Sequence, residues 1–190
     1  MEVASQTWIA LFRGINVGGR NLLPMATLRE ILGGFQLQNI RTYIQSGNVV
    51  FDGVDISPLD LTKKIAEGIQ QRQGFSPSIL LLTSAQLQAA ADANPFPGAT
   101  SDPKSLHFLF LAERPVSPNL DFLQERKSAT EQFVLTDLVF YLHAPEGIGR
   151  SKLAAVTEKN LGVVTTGRNY RTVKKLLEMV QQDGTKSSGA

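Results

Sequence analysis

The residues best suited to chemistry in this chain are arginines, glycines and side-chain amides gathered at the ends of apolar runs. The first group, Arg13-Gly14-Ile15-Asn16-Val17-Gly18-Gly19-Arg20-Asn21, directly follows the apolar run Trp8–Phe12. Glycine lets a backbone approach another group closely, and arginine grips carboxylates and phosphates with paired hydrogen bonds. Arg13, Arg20 and the N–H groups around Gly18 and Gly19, near a helix start, can therefore form a nest for an anion, with Asn16 beside them. The same residues also suit a loop that needs positive φ angles, with Asn16 and Asn21 satisfying backbone groups. The glycine spacing is not that of a dinucleotide fingerprint, and the absence of Gly-Lys-Ser/Thr excludes a P-loop.

Three further groups share this character. In Arg41-Thr42-Tyr43-Ile44-Gln45-Ser46-Gly47-Asn48, strand alternation puts Arg41, Tyr43 and Gln45 on one face and Thr42 and Ile44 on the other. If helices cover the Ile44 face, the opposite face is either an open platform for bases or the inside of an interface. One tyrosine without an aromatic-rich basic octapeptide is a weak stacking platform, which favours the interface. Gly147-Ile148-Gly149-Arg150-Ser151-Lys152 stands before a predicted helix, where N–H groups, Ser151 and two cations can receive an anion. Alternatively, Ser151 is a plain N-cap. Thr165-Thr166-Gly167-Arg168-Asn169-Tyr170 also precedes a helix; Asn169 or Thr166 can cap it, and Arg168 can point to the same anion.

Established catalytic sets are missing. His107 lies within a predicted strand and His143 at a strand end, neither with metal-ligand spacing, so both are read as structural. The carboxylates are scattered, with no pair placed for acid–base work. The chain has no cysteine, which excludes disulfides, thiolate metal sites and cysteine nucleophiles and fits a reducing compartment. No metal or cofactor is called for.

The elements that must position these groups follow from apolar periodicity. Thr7–Arg13 reads as a strand. Pro24 opens a helix with Leu28, Ile31 and Leu32 inward, ended by Gly33-Gly34. Ile40–Gln45 and Val49–Phe51 make a hairpin around Ser46-Gly47-Asn48. Ser57 caps a helix carrying Leu61, Ile65 and Ile69, and Ser78–Leu82 is a strand. A linking helix from Ser84 to about Ala93 is broken by Asn94-Pro95-Phe96-Pro97-Gly98. The order then repeats: a strand Leu106–Leu111; a helix opened by Ser117-Pro118 with Leu120 and Leu123; strands Gln132–Leu135 and Leu138–His143; a helix Ser151–Asn160 with Leu153 and Val156 inward; and a short strand Val163–Thr165. A last helix runs from about Asn169 to Val180.

The expected fold class is thus α+β, with two tandem ferredoxin-like (β-α-β-β-α-β) subdomains built on antiparallel sheets. The first spans 1–83; 84–103 holds the linking helix and loop; 104–182 holds the second subdomain and the terminal helix. Residues 183–190 form a polar tail expected to be disordered.

Composition bounds the partners. Net charge is only +2, but residues 147–190 carry eight Lys/Arg against three acids, leaving the remainder net acidic. A basic C-terminal third suits an anionic partner, or equally a solvated helix face. The first apolar run is far too short to span a bilayer and follows no basic region, so a soluble cytoplasmic protein without a membrane partner is expected.

At these motifs the chain resembles the bacterial family known as domain of unknown function 1697. The matching blocks are Leu11-Phe12-Arg13-Gly14-Ile15-Asn16-Val17-Gly18-Gly19, Leu23-Pro24-Met25, and Arg41 through Phe51. Further matches are Asn94-Pro95-Phe96, Ser151-Lys152-Leu153, and Arg168-Asn169-Tyr170-Arg171 with Lys174-Lys175-Leu176. Gly167 departs from the pattern, in which threonine runs directly into Arg-Asn. The resemblance implies two ferredoxin-like subdomains and brings no reaction, substrate or cofactor.

The leading expectation is a protein that binds an anion, nucleic acid or a phosphorylated metabolite, in a cleft between the subdomains. Its candidate ligand residues are Arg13, Asn16, Gly18, Gly19, Arg20, Arg41, Asn48, Arg150, Ser151, Lys152, Arg168 and Asn169. The alternatives are an enzyme on a small phosphorylated or carboxylated substrate, in which a serine, Tyr43 or an aspartate reacts, and a protein-interaction module.

Overall fold

Alternation along the first strand buries both of its faces. In the computed structural model, which describes residues 5–53 and 57–184, strand β1 spans Gln6–Arg13. Its Trp8, Ala10 and Phe12 join one apolar cluster, while Ile9 and Leu11 point the other way and are equally buried. Helix α1 (Met25–Gly33) places Leu28, Ile31 and Leu32 in that cluster, as their spacing predicts. Pro24 stands just outside it, because its ψ of 138° is extended; it delimits the helix instead of opening its first turn. Helix α2 (Pro58–Gln73) adds Leu61, Ile65 and Ile69. Ser57 caps it by accepting the Asp60 N–H at 3.5 Å, and Gly74 ends it in a left-handed conformation.

Strands β2 (Gln38–Tyr43), β3 (Asn48–Gly53) and β4 (Ser78–Thr83) complete an antiparallel sheet in the order β2-β3-β1-β4. Strand β2 stops two residues short of the expected Gln45, because Ile44 turns to a φ of 49°. Ile44 consequently does not share a strand face with Thr42. Thr42 does face the helices, since its hydroxyl accepts from Arg29 of α1 at 2.8 Å. The face with Arg41 is not an open platform: the Arg41 guanidinium donates to the Met179 carbonyl at 2.6 Å, and Val50 of β3 is fully buried.

The second sheet repeats the arrangement. Strands β5 (Leu106–Leu111), β6 (Gln132–Leu135), β7 (Val139–His143) and β8 (Thr165–Asn169) pair antiparallel in the order β6-β7-β5-β8. Helices α4 (Leu120–Arg126) and α5 (Lys152–Leu161) cover one face through Leu123, Leu153 and Leu161, packed on Leu109, Leu111, Phe140 and Leu142. Phe108 and Tyr141 are buried on the other face, in edge-to-face contact at 4.8 Å between ring centres.

Four further elements depart from the sequence expectation. Helix α4 starts at Leu120, not at Ser117-Pro118, because Asn119 accepts the Phe122 N–H and caps it; Leu120 then lies in the first turn and stays exposed. On α5 the fully buried position is Thr157, with Val156 only partly covered. Strand β8 lies beyond the predicted Val163–Thr165. Glu158 of α5 accepts both the N–H and the hydroxyl of Thr165, pinning the strand start there, and the ladder with β5 continues through polar residues to Asn169. Helix α6 (Tyr170–Gly184) runs past Val180 and takes in Asp183 and Gly184 of the expected tail; residues 185–190 lie outside the described residues.

Helix α3 (Ser84–Asp92) follows β4 as expected. The chain divides into two compact units: residues up to Gln88 together with those from Leu176 onward, and Ala89–Lys175. The structure is therefore α+β, with two four-stranded antiparallel sheets and six helices among the described residues. None of these helices is long and apolar enough to cross a membrane.

Candidate functional site

In the first unit the amides of the Gly-Asn loop serve the backbone. The Asn16 side chain donates to the Leu23 carbonyl at 2.9 Å and to the Gln45 carbonyl at 2.7 Å, and accepts the Leu23 N–H at 2.8 Å. One side chain thereby joins the β1–α1 loop at both ends and ties it to the β2–β3 turn. Asn21 donates to the Gly14 carbonyl at 2.9 Å and returns its own carbonyl to the Asn16 N–H. Asn48, fully buried, donates to the Tyr43 carbonyl and the Ser46 hydroxyl. Arg13, Gly18, Gly19 and Arg20 are all exposed. Arg41 is half-buried and bonded to the Met179 and Asn39 carbonyls.

Gly47 is the steric key of this turn. Its φ is +70°, and its carbonyl accepts the Phe12 N–H of β1 at 2.8 Å. A Cβ at this position would meet Phe12 Cβ at 2.5 Å and Ile15 Cδ1 at 2.7 Å. Only glycine fits so close to the central strand.

In the second unit three predicted residues line one cavity. Arg150, Ser151 and Lys152, at the start of α5, border a space of about 390 Å³. Its other walls are the end of α4 with the following loop (Glu125, Arg126, Lys127, Ser128, Glu131) and the turn after β7 (Ala144, Glu146, Gly147). Ser151 caps α5, its hydroxyl accepting the Ala154 N–H at 2.9 Å, so one predicted alternative, the N-cap, is present inside the cavity wall. Two of the three carboxylates brace the loop: Glu131 accepts the Ser128 N–H at 2.8 Å, and Glu146 accepts the Thr130 hydroxyl at 2.9 Å. Arg126 lies over the Phe122 ring at 4.7 Å. Among the described residues none of the four cations, Arg126, Lys127, Arg150 and Lys152, is held in a salt bridge. The cavity is thus edged by four cations, three carboxylates and the first turn of α5.

Arg168 and Asn169 do not line this cavity. Arg168 stands on β8 opposite Phe108 and donates to the Gly167 carbonyl at 2.8 Å; burial lowers its guanidinium pKa to about 10, which leaves it charged at neutral pH. Asn169 accepts the Thr172 N–H at 3.0 Å and thus caps the first turn of α6, as one sequence alternative has it.

The histidines sit in different settings. His107 is only 8% exposed on β5; burial lowers its pKa, against a backbone hydrogen bond with Lys104, and its Nε2 has no partner. His143 packs near the Phe96 ring. No cluster of metal-ligating side chains occurs among the described residues.

Arg126, Lys127, Glu131 and Glu146 were not singled out from the sequence. One signal was available: Ser128-Ala129-Thr130-Glu131 has the spacing of a capping box, and it directly follows the charged Glu125-Arg126-Lys127.

The structure is similar to that of the conserved bacterial protein SP0830 from Streptococcus pneumoniae, with a TM-score of 0.69 and 26% sequence identity. The likeness covers 93% of this chain and 99% of that one. No curated protein matches the sequence. The family pattern described as "Protein of unknown function (DUF1697)" matches residues 5–141, which take in all of the first sheet and β5 through most of β7. On this match, the chain belongs to the DUF1697 family.

Proposed function

We propose that this protein binds an anionic ligand, nucleic acid or a phosphorylated metabolite, and that the cavity at the start of α5 receives the anionic group. The observation that carries the reading is the gathering of Arg126, Lys127, Arg150 and Lys152 around one space of about 390 Å³, with no salt bridge to any of them among the described residues. The lining holds these four cations and three carboxylates, a small net positive charge, and a phosphate or carboxylate would find charged donors there that no ion pair occupies. Two of the three nearby carboxylates, Glu131 and Glu146, accept hydrogen bonds from the loop they brace rather than from the cations. The ligand site is narrower than the twelve residues expected from sequence: Arg150, Ser151 and Lys152 are its members from that set.

We further infer a ferredoxin-like topology for each sheet. The strand orders β2-β3-β1-β4 and β6-β7-β5-β8, with a helix after the first and third strand of each run, support that reading.

The test is binding of pyrophosphate by calorimetry and of a labelled 12-nucleotide single strand by fluorescence anisotropy, each over a salt series. Binding that weakens as salt rises is expected. The double variant Arg150→Ala/Lys152→Ala should lower the oligonucleotide salt slope by roughly 1.4, the share of two lost phosphate contacts. Failure of both probes to bind at low salt, or binding that the double variant leaves unchanged, refutes the assignment.

A further inference from the structure

One carboxylate in the wall of the cavity at the start of α5 differs from the other two. Glu131 is 5% exposed and is the one buried carboxylate among the described residues. Glu125 and Glu146, which also line the cavity, are exposed. Burying a carboxylate is costly unless hydrogen bonds or an opposite charge compensate it. Glu131 receives little of either. Its Oε2 accepts the Ser128 N–H at 2.8 Å, and among the described residues the carboxylate has no other hydrogen bond and no salt bridge.

The spare oxygen is Oε1. A carboxylate accepts about four hydrogen bonds, and the Ser128–Glu131 loop uses one of them. Among the described residues, the partnerless side-chain atoms sealed from solvent are Trp8 Nε1 and His107 Nε2. Glu131 Oε1 is not one of these, so a group entering from outside can reach it. The cavity that Glu131 lines therefore offers cationic donors at Arg150 and Lys152 and an unused acceptor at Glu131.

These groups bear on which anion enters, an inference that rests on the anion-binding reading above. A ligand with anionic groups alone meets the cations and leaves Glu131 uncompensated. None of the described residues lining the cavity is aromatic, so no ring is present on which a base can stack. Three carboxylates in the wall also repel a phosphodiester strand laid along it. A volume of about 390 Å³ is that of a small-molecule site. We propose that the ligand is a small phosphorylated metabolite that also carries a hydroxyl or ammonium group, with its phosphate at Arg150 and Lys152 and that donor on Glu131 Oε1.

Calorimetry with two matched series tests this: ethyl phosphate and butyl phosphate, each unsubstituted, with a terminal hydroxyl, or with a terminal ammonium. At one length or the other, the hydroxyl or ammonium compound should bind about tenfold more tightly than its unsubstituted parent. This comparison uses the unaltered protein and needs no variant to fold. In Glu131→Gln the gain should shrink to within about twofold, because the amide oxygen keeps the Ser128 N–H and the amide nitrogen cannot accept. The unsubstituted phosphates should bind this variant at least as well as the unaltered protein, which shows that it is folded with its cations in place. Equal binding across each series, or a gain that survives Glu131→Gln, overturns the proposal and leaves the anion reading standing. A labelled 12-nucleotide strand that binds more tightly than every one of these compounds at equal salt overturns it in favour of nucleic acid. Loss of all binding, pyrophosphate included, overturns both.

Discussion

Replacing Gly47 by alanine puts a methyl group 2.5 Å from Phe12 Cβ and 2.7 Å from Ile15 Cδ1. Phe12 Cβ belongs to the central strand β1, held by ladders to β3 and β4, so it cannot step aside as the end of a flexible side chain would. Two costs add. The left-handed φ of +70° penalises any L-residue by roughly 1–2 kcal/mol. Forcing an extra methyl into a filled space costs about 1–3 kcal/mol more. The sum, about 2–5 kcal/mol, corresponds in a chain of this size to a melting temperature lowered by on the order of 10 °C. Gly19→Ala is the control: its φ is +73°, but nothing lies within 4 Å of the added methyl, so only the conformational cost remains. Urea unfolding of the two variants separates the terms. If Gly47→Ala is no less stable than Gly19→Ala, the contact between the β2–β3 turn and β1 is not as close as described, and the reasoning fails.

Other consequences are equally direct. Asn16→Asp keeps the acceptor for Leu23 N–H but loses both donors and turns a carboxylate toward two carbonyls; it should cost about 1–3 kcal/mol at pH 7 and less at pH 4, where the acid regains a proton, as urea unfolding at the two pH values will show. Tyr141→Phe leaves the Ala90 carbonyl without the phenol that bonds it at 2.8 Å, while the Asn94 N–H is turned to Ala91, so a loss of about 1–3 kcal/mol is expected in thermal unfolding. The same burial raises the Tyr141 phenol pKa to about 12, so a spectrophotometric titration should show a tyrosine that resists ionisation to strongly alkaline pH. Burial holds the His107 pKa below its usual 6.5, so the unfolded chain takes the proton first; this group's contribution is intact above pH 6.5, falls as pH drops toward the folded pKa, and levels off below it. With only two histidines in the chain, proton NMR can follow His107 by itself, and a His107 value at or above 6.5 would contradict the buried setting.

Much of the element order was legible because apolar periodicity is a local property. Leu28, Ile31 and Leu32 carry helical spacing, and the run Leu106–Leu111 is short and apolar throughout, as a buried strand is. Where the sequence reading slipped, a distant partner decided the outcome. Thr165–Asn169 is polar and has no strand pattern of its own; it becomes β8 because β5 offers a ladder and Glu158 anchors its first residue. Ile44 looks like strand by composition but is bent out of it by the turn that Gly47 and Asn16 hold.

The candidate site divides along the same line. That arginine, glycine and asparagine cluster at element ends is written in the chain, and so are the absence of thiols and the caps offered by Ser151 and Asn169. Which of those groups the backbone engages was decided only by tertiary structure. A side-chain amide binds whichever carbonyl the fold brings within 3 Å, so Asn16 is consumed in joining Leu23 to Gln45, which are 22 residues apart in sequence. The cavity of the second unit, in turn, draws Arg126 and Lys127 to Arg150 and Lys152 across a separation that no local pattern records, because only the packing of α4 against α5 brings those helix ends together.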